Sequence, residues 1–310
     1  MDDLYRTNSD WIKNRALDLG FCACGIAKVR NLEEEQNHLQ HWLDGNLNGT
    51  MRYMANHFDK RLDPTRLVEG AKSIISVLIN YFPTQLQSDP DAPIISKYAY
   101  GRDYHLTVKE KLNDLLILIQ QEISPCRGRV FVDSAPVLEK LWASIAGLGW
   151  IGKNSLLISK EYGSYVFIGE LIIDLELAYD TTFPNNLCGS CSRCMDACPT
   201  GAIVAPHIVD ARKCISYNTI ENKDEIVPDL RHQIGNHIFG CDICQDVCPW
   251  NKKVKANQSA EFKPIDGLLE MNLADWMNLD QSKYSKMFRH SAFERAGFSL
   301  IKRNIGYLNK

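Results

Sequence analysis

Cysteines at regular spacing are the residues of this 310-residue chain best suited to chemistry. Residues 188–202 read CGSCSRCMDACPTGA, so four cysteines stand at spacings of three, three and four residues and Pro199 follows the last. This C-x2-C-x2-C-x3-C-P pattern is typical of ferredoxins, in which thiolates hold the iron atoms of [4Fe–4S] clusters. We therefore predict an iron–sulfur site in this segment.

A second cysteine run, CDICQDVCPWN at residues 241–251, lacks one cysteine of the full pattern, and Cys214 between the runs can supply it. In the ferredoxin pattern three close cysteines bind one cluster and the fourth binds the other. We therefore predict two [4Fe–4S] clusters, one held by Cys188, Cys191, Cys194 and Cys248 and the other by Cys198, Cys214, Cys241 and Cys244. The remaining Cys22, Cys24 and Cys126 are expected to be small buried apolar residues.

Structural zinc is the competing interpretation of these cysteines. Zinc sites usually show paired C-x2-C knuckles, whereas a run of three cysteines followed by Cys-Pro favours a cluster. Disulfides are not expected, because the N-terminal segment has no charged-then-apolar leader and no apolar run is long enough to span a membrane. We therefore expect a cytoplasmic protein, whose reducing surroundings favour metal or redox roles for cysteine.

Charge is distributed unevenly along the chain. Hydrophobic residues make up 45% of the chain and charged residues 24%, which is ordinary for a globular protein. The net charge is −3, but residues 283–310 carry +6 and the preceding residues −9. The cations of this tail are Lys283, Lys286, Arg289, Arg295, Lys302, Arg303 and Lys310. Such a tail could meet phosphate backbones or form a solvated helix face.

Helical and strand patterns mix through residue 175, which predicts an α+β, or mixed α/β, fold. Apolar spacing and glycine stops predict helices over 11–19, 33–44 and 104–123. Apolar and β-branched runs predict strands over 21–27, 73–82, 94–100, 129–133, 154–159 and 164–175. We expect a catalytic domain over 1–178, a cluster domain over 179–255 and a short basic helical segment over 256–310.

Asp133 is predicted at the end of a strand that runs directly into a helix capped by Ser134. A helix dipole favours the charged carboxylate and burial favours the neutral acid. No G-x-G-x-x-G fingerprint for a dinucleotide is present. Asp103 and His105 begin a D-x-H-x-x-G cobalamin pattern, but residue 108 is valine, and a polar start to the following helix explains them equally well.

Six segments in order give the chain a resemblance to the epoxyqueuosine reductase family. They are GRDYH (101–105), VDSAPVLEK (132–140), GWIGKNS (149–155), CGSCSRCMDACPTGAI (188–203), CISYNTIE (214–221) and GCDICQDVCPWN (240–251). The resemblance implies a nitroreductase-like domain that binds cobalamin and a ferredoxin-like domain with two [4Fe–4S] clusters. It further implies reduction of epoxyqueuosine to queuosine at the wobble position of tRNAs with a GUN anticodon, the last step of queuosine synthesis.

The resemblance also implies roles for individual residues. Asp133 matches the general acid that protonates the opening epoxide, which Co(I) cobalamin attacks. Positions matching the cobalamin pocket are Arg61, Asp103, Tyr104, His105, Asp133, Trp150, Gly152, Lys153 and Asn154. For the glycines near 150 a helix stop and turn is the alternative, and Lys153 could instead meet a tRNA phosphate or water.

An external low-potential donor, a flavodoxin or ferredoxin, is expected to feed the clusters, and we expect a monomer. Many family members continue into a C-terminal helical repeat domain that helps to hold tRNA. Little chain follows residue 255 here, and the basic tail could substitute for that domain in part.

Two other classes of protein stay open at this point. A reductive dehalogenase-like enzyme also joins cobalamin to two clusters, although its respiratory members usually carry a twin-arginine leader. A plain electron-transfer module needs only the ferredoxin part, so the large α/β domain argues against it.

Overall fold

The computed structural model describes residues 2–183 and 186–308. Its α-helices are α1 (Asp2–Asp18), α2 (Glu33–Asp44), α3 (Phe58–Leu62), α4 (Tyr104–Glu122), α5 (Glu139–Ile145), α6 (Arg193–Asp196), α7 (Ile215–Ile220), α8 (Pro228–Ile234), α9 (Ile243–Asp246), α10 (Leu273–Met277), α11 (Gln281–Met287), α12 (Phe293–Ala296) and α13 (Phe298–Gly306). Its strands are β1 (Ala23–Lys28), β2 (Ser73–Asn80), β3 (Ile94–Ile95), β4 (Gly128–Phe131), β5 (Trp150–Ile151), β6 (Leu157–Ile158), β7 (Val166–Ile173), β8 (Ile203–Ala205), β9 (Ile208–Val209) and β10 (His237–Phe239).

A four-stranded antiparallel sheet in the order β1–β2–β7–β4 forms the centre of the N-terminal half. Ile75 and Leu171 pack with α1 and α4 on one face, whereas Ile74 and Ile172 pack with Trp142 of α5 on the other. Because helices cover both faces, β2 reads as a continuous apolar run rather than an alternating one. The predicted buried strand over 73–82 is therefore confirmed.

A second core lies behind the cysteine-rich segment. Parallel pairing joins β3 to β10, and the helices after residue 272 close over this pair. Phe293 stacks on Phe239 and on Phe288, with ring centroids 4.2 and 4.1 Å apart. The C-terminal segment is thus helical, as predicted, and it packs into this core instead of standing free.

Several cations of the basic tail form hydrogen bonds within that packed region. Arg303 donates hydrogen bonds to backbone carbonyls, including that of Asn218 at 2.6 Å. Lys302 donates to the carbonyl of Met277 at 2.8 Å. Lys283, Lys286 and Arg289 lie at the surface, and Lys310 lies outside the described residues.

Some predicted elements differ from the structure. The strand predicted over 94–100 has only two residues, because the chain turns into a 3-10 helix at Lys97–Ala99. The helix predicted to start at Ser134 starts at Glu139, and Ser134 does not cap it. Between β4 and α5 Asp133 adopts a left-handed backbone conformation (φ +53°), which a continuous strand–helix junction does not contain.

The strand predicted over 154–159 is likewise reduced to two residues, Leu157–Ile158, and the helix predicted over 11–19 begins much earlier, at Asp2. The other predicted helices and strands are present, most with small shifts at their ends. The prediction over 33–44 coincides with α2, and that over 104–123 coincides with α4 to within one residue. The side chain of Asp103 caps α4 by accepting a hydrogen bond from the amide of His105. No described helix combines the length and apolarity that crossing a membrane requires.

One ionisable group lies inside the central sheet. Glu170 of β7 is fully buried opposite Ser76 of β2, whose hydroxyl donates to Oε2 at 2.7 Å. Its Oε1 has no hydrogen-bond partner among the described residues. Burial raises the pKa of Glu170 well above its ordinary value, which favours the protonated carboxyl.

We expect Glu170→Gln to raise the thermal unfolding midpoint by a few degrees at pH 8, since about 1 kcal/mol corresponds to roughly 2–4 °C in a chain of this size. The pKa is raised on folding, so the stability that Glu170 contributes is complete below its unfolded pKa and declines as pH rises above it. The gain from glutamine should therefore be larger at pH 8 than at pH 5. Glu122→Gln, at the exposed end of α4, is the control, and an equal effect of Glu170→Gln at both pH values would contradict the assignment.

Candidate active site

The loop between β4 and α5 presents the exposed carboxylate of Asp133 beside Tyr104, His105, Glu139 and Arg295, a region that we call the Asp133 cleft. The backbone amide of Asp133 donates a hydrogen bond to Oε1 of Glu139, which ties the loop to the first turn of α5. The Asp133 side chain keeps 54% of its surface exposed, although protein surrounds it on most sides. A non-glycine residue in left-handed conformation costs about 1–3 kcal/mol and is common at functional sites. The local structure thus holds this carboxylate at the floor of a cleft.

The start of α4 supplies the hydrogen-bond partners of that carboxylate. Oδ2 of Asp133 lies 3.0 Å from the Tyr104 hydroxyl and 3.2 Å from Nε2 of His105. Nδ1 of His105 lies 2.7 Å from Oδ1 of Asp103. Tyr104 is fixed by stacking on Phe167, with ring centroids 4.2 Å apart. The structure therefore brings together four of the predicted site residues in one hydrogen-bonded chain.

The hydrogen bonds among these four side chains set their protonation states. Burial acts to lower the pKa of His105, but hydrogen bonds to Asp103 and Asp133 outweigh it and raise the pKa to about 9. Burial acts to raise the pKa of Asp133, but the hydrogen bond and charge of His105, with help from Tyr104 and Arg295, hold it below its ordinary value. At neutral pH the pair is therefore an imidazolium and a carboxylate.

Two further ionisable side chains line the cleft, and neither was singled out from the sequence. Burial, followed by the charge of Asp133, raises the pKa of Glu139 to about 8. Lys140 donates from Nζ to the carbonyl of Ser155 at 2.9 Å. Burial lowers the pKa of Lys140, whose charge also interacts with Cys244. The cleft therefore extends from Asp133 towards the cysteine-rich segment.

Two buried polar groups near the cleft lack partners. Arg61 of α3 is 7% exposed, and its Nη2 donates to the carbonyl of Tyr53 at 2.7 Å, but no described residue pairs with Nε. The Ser155 hydroxyl is also buried without a partner among the described residues, at a backbone φ of +60°. Buried polar groups are normally hydrogen-bonded, so these donors suit a ligand rich in acceptor groups.

The first predicted set of cysteines surrounds a cavity. Cys188, Cys191, Cys194 and Cys248 line a space of about 250 Å³. Lys153 holds the loop that carries two of them, since its Nζ donates to the carbonyls of Gly189 at 2.7 Å and Cys191 at 2.9 Å. Trp150 of β5 and Ile158 of β6 pack against Cys248.

The members of the second predicted set act on one another electrostatically. Burial, followed by the charges of Cys214 and Cys198, raises the pKa of Cys241 to about 12. Cys244 is likewise surrounded by protein, and Cys241 and Cys214 act on it electrostatically. The structure thus brings all four members of this set, which also includes Cys198, within electrostatic reach of one another.

A single zinc ion and an iron–sulfur cubane need thiolate cages of different size. No group of three or more His, Cys, Asp or Glu side chains is placed to hold a metal ion within residues 2–183 and 186–308. Four thiolates on one zinc ion would lie about 4 Å apart, whereas an iron–sulfur cubane holds its thiolates at its outer corners and needs a wider cage.

The GWIGKN segment lies against the cysteine-rich segment. Trp150 contacts the first cysteine set and Lys153 its loop, while the carbonyl of Gly152 accepts from Nδ1 of His207 at 3.0 Å. Asn154 is buried, lines the cavity of the first set and lies close enough to Cys244 of the second to affect its pKa. These contacts position the cysteines and do not involve the Asp133 cleft, so a role of these four residues in binding cobalamin stays a prediction.

Comparisons with known proteins identify two regions of the chain. The family model for epoxyqueuosine reductase QueG, DUF1730, matches residues 61–134, and the model for a 4Fe-4S double cluster binding domain matches residues 187–251. The first region ends just beyond Asp133, and the second contains both cysteine runs. The two matches therefore cover the cleft and the cysteine sets.

Relatives that match nearly the whole chain are named epoxyqueuosine reductase. The epoxyqueuosine reductase of Cellulophaga algicola is 50% identical over 301 residues, which cover 97% of this chain and 98% of the relative. A solved epoxyqueuosine reductase with a tRNA-Tyr epoxyqueuosine-modified stem loop has a TM-score of 0.86 at 28% identity, over 96% of this chain and 80% of that one. The Bacillus subtilis reductase, with its catalytic aspartate loop swung out of the active site, has a TM-score of 0.88 at 27% identity with the same coverage. This chain therefore belongs to the epoxyqueuosine reductase family of oxidoreductases, and it carries a 4Fe–4S-binding domain.

Proposed function

We propose that this protein reduces epoxyqueuosine to queuosine in tRNA with a GUN anticodon, using cobalamin in the Asp133 cleft and one [4Fe–4S] cluster in each cysteine set. The observation that carries the proposal is the Asp133 carboxylate, hydrogen-bonded to Tyr104 and His105, beside Lys140, whose charge interacts with both Asp133 and Cys244. The dehalogenase-like and electron-carrier alternatives lose support, because the chain matches a reductase over 97% of its length.

Two kinds of residue would hold the cofactors: buried donors that lack a hydrogen-bond partner among the described residues, and the two cysteine sets. Arg61 and Ser155 offer buried donors to the amide side chains of a corrin. When bound, cobalamin supplies a strong nucleophile for an epoxide carbon and the clusters supply single electrons at low potential. The eight cysteines supply a thiolate for each iron corner in the predicted wiring.

The role of the protein's own side chains in the reaction is to deliver protons. As a carbon–oxygen bond of the epoxide opens, the oxygen gains negative charge, and an alkoxide is a poor leaving group at neutral pH. Asp133 at the cleft floor protonates that oxygen, as a positioned general acid. Tyr104 and His105 hold its carboxyl in place by their hydrogen bonds to Oδ2.

The first cysteine set would hold the cluster that accepts electrons from the donor, and the second would hold the cluster nearer the Asp133 cleft. The first set lines a cavity that also involves Leu187, which is 36% exposed, so an external flavodoxin or ferredoxin could approach it. The second set includes Cys244, which interacts with Lys140 of the cleft. Asn154 touches both sets and so lies between the two ends of this path.

The mouth of the cleft suits a nucleic acid. Tyr53 is 43% exposed, and the guanidinium carbon of Arg295 lies 6.0 Å from its ring centroid. Arg295 donates to Glu221 at 2.8 Å and acts electrostatically on Asp133. An exposed aromatic ring can stack on a base, and an arginine can meet a phosphate or a base edge. A protein that acts on tRNA is expected in the cytoplasm, and we expect it to act as a monomer.

Asp133→Asn should abolish turnover and leave both cofactors bound, because asparagine keeps the shape of the side chain but cannot deliver a proton. We expect a loss of at least about 100-fold in kcat. The assay is anaerobic incubation of cluster-loaded, cobalamin-loaded protein with epoxyqueuosine-bearing tRNA and a low-potential reductant, followed by mass spectrometry of the nucleosides. Asp114→Asn, exposed on α4, is the matched control, and full activity of the Asp133→Asn enzyme would remove Asp133 from the mechanism.

Cys248→Ser should remove the first cluster and spare the second. Iron content should fall from about eight to about four atoms per chain, because each cubane contains four. Cys126→Ser, outside both sets, should leave iron content unchanged. Loss of all iron from the Cys248→Ser protein, with the chain still folded, would contradict two separate sets.

Arg295→Gln should weaken binding of an anticodon stem loop and flatten its salt dependence by about one unit of slope, if the arginine meets a phosphate. Titration of a fluorescent stem loop at several salt concentrations measures both quantities. Lys286→Gln, on the exposed face of α11, is the control. Equal weakening by both changes would indicate a diffuse basic surface and contradict a specific contact at the cleft mouth.

A further inference from the structure

The proposed reaction needs two protons at one atom. Conversion of an epoxide to an alkene breaks two carbon–oxygen bonds, forms one carbon–carbon double bond and releases the oxygen as water. It consumes two electrons, which a low-potential one-electron donor protein supplies, and two protons. Both protons end on the departing oxygen, so the group that faces this oxygen must deliver twice per turnover.

Asp133 must be reloaded with a proton before each of the two deliveries. Its carboxyl carries at most one proton, and in the cleft it is held as a carboxylate that carries none. Its hydrogen-bond partners differ in what they can give. Burial raises the pKa of Tyr104 well above its ordinary value, so its hydroxyl keeps its proton. Glu139 contacts the backbone amide of Asp133 and not its carboxyl.

His105 has the position and the connections that Asp133 lacks. Its Nε2 lies 3.2 Å from Oδ2 of Asp133, and its Nδ1 lies 2.7 Å from Oδ1 of Asp103. Asp103 is itself anchored, because it accepts the amide hydrogen of His105 at 2.9 Å as the cap of α4. The ring is therefore held with one nitrogen on the acid and the other on a fixed carboxylate.

We propose that His105 is the proton store of this site, which loads Asp133 through Nε2 before each delivery to the substrate oxygen. This inference rests on the proposed function. Each delivery moves one proton from His105 to Oδ2 of Asp133 and from there to the oxygen, and leaves His105 neutral. Water then returns a proton to the ring, whose side chain is 23% exposed. His105 acts through Asp133 and needs no contact with the substrate.

The charges that face His105 support this role. Asp103 and Asp133 both favour the imidazolium, as does Glu139 when it is ionised. Arg295 acts on Asp133 and favours its carboxylate form. The net effect is a pKa of about 9 for His105, so the store is filled at neutral pH and empties as pH rises through that value.

The first test measures turnover of the holoenzyme against pH. In the wild type kcat should fall above about pH 9, as His105 loses its proton. In Asp103→Asn the imidazolium loses one carboxylate partner. The pH at which kcat falls should therefore shift towards neutral pH by at least tenfold in proton concentration. The KM for tRNA should be unchanged. His105→Gln should lose at least about 100-fold in kcat. His41→Gln, exposed on α2, is the matched control.

The second test does not depend on turnover. Diethyl pyrocarbonate modifies neutral imidazole, so modification of the His105 peptide in the holoenzyme, followed by mass spectrometry, reports its protonation. The midpoint should lie near pH 9 in the wild type and lower in Asp103→Asn. A midpoint near about 6.5, the ordinary value for histidine, would overturn the proposal, as would a pH profile that Asp103→Asn leaves in place. A wild type that titrates as expected but makes no queuosine would instead overturn the proposed function.

Discussion

The contact between the Asp133 carboxylate and the His105 ring is the interaction on which the rest of this site depends. It joins the β4–α5 loop to the first turn of α4, two segments separated by 28 residues in sequence. Three constraints converge on it. Asp103 caps α4 and orients the ring, stacking on Phe167 fixes Tyr104, and Glu139 accepts the amide hydrogen of Asp133. The left-handed conformation of Asp133 persists because the surrounding contacts determine it.

The cysteine-rich segment is docked so that one of its cysteine sets faces this cleft. Contacts from the GWIGKN segment make the junction, with Lys153 on the loop of the first set and Asn154 between both sets. The C-terminal helices complete it by burying Phe293 against β10 and by bringing Arg295 to the cleft mouth. The Asp133 carboxylate, the two cysteine sets and Arg295 are thus brought together from distant parts of one chain.

Much of this arrangement could be predicted from local sequence. The cysteine spacing predicted two sets that the structure also brings together, because cluster ligation requires a fixed short-range pattern. A glycine stop predicted the end of α2, and apolar spacing predicted α4 to within one residue, because these signals depend on residues close together in sequence. The name of the family followed from six ordered segments, and whole-chain relatives confirm it.

Long-range contacts account for what the sequence did not reveal. The delayed start of α5 depends on Glu139, whose partner lies six residues earlier across a left-handed turn. The early end of β3 depends on Asp242, which accepts hydrogen bonds from Ser96 and Lys97 across the second core. Arg295 reaches the cleft only through tertiary packing of α12, and nothing in its neighbouring residues indicates this. The same holds for Lys153, whose contact with the cluster loop spans 38 residues.

Anomalous scattering at the iron and cobalt absorption edges, from anaerobic crystals of the loaded protein, tests the account most directly. The account predicts two iron peaks, one within each cysteine set, and one cobalt peak in the cleft that Asp133 faces. A single iron peak, a zinc signal at the cysteines, or cobalt bound away from Asp133 would contradict it.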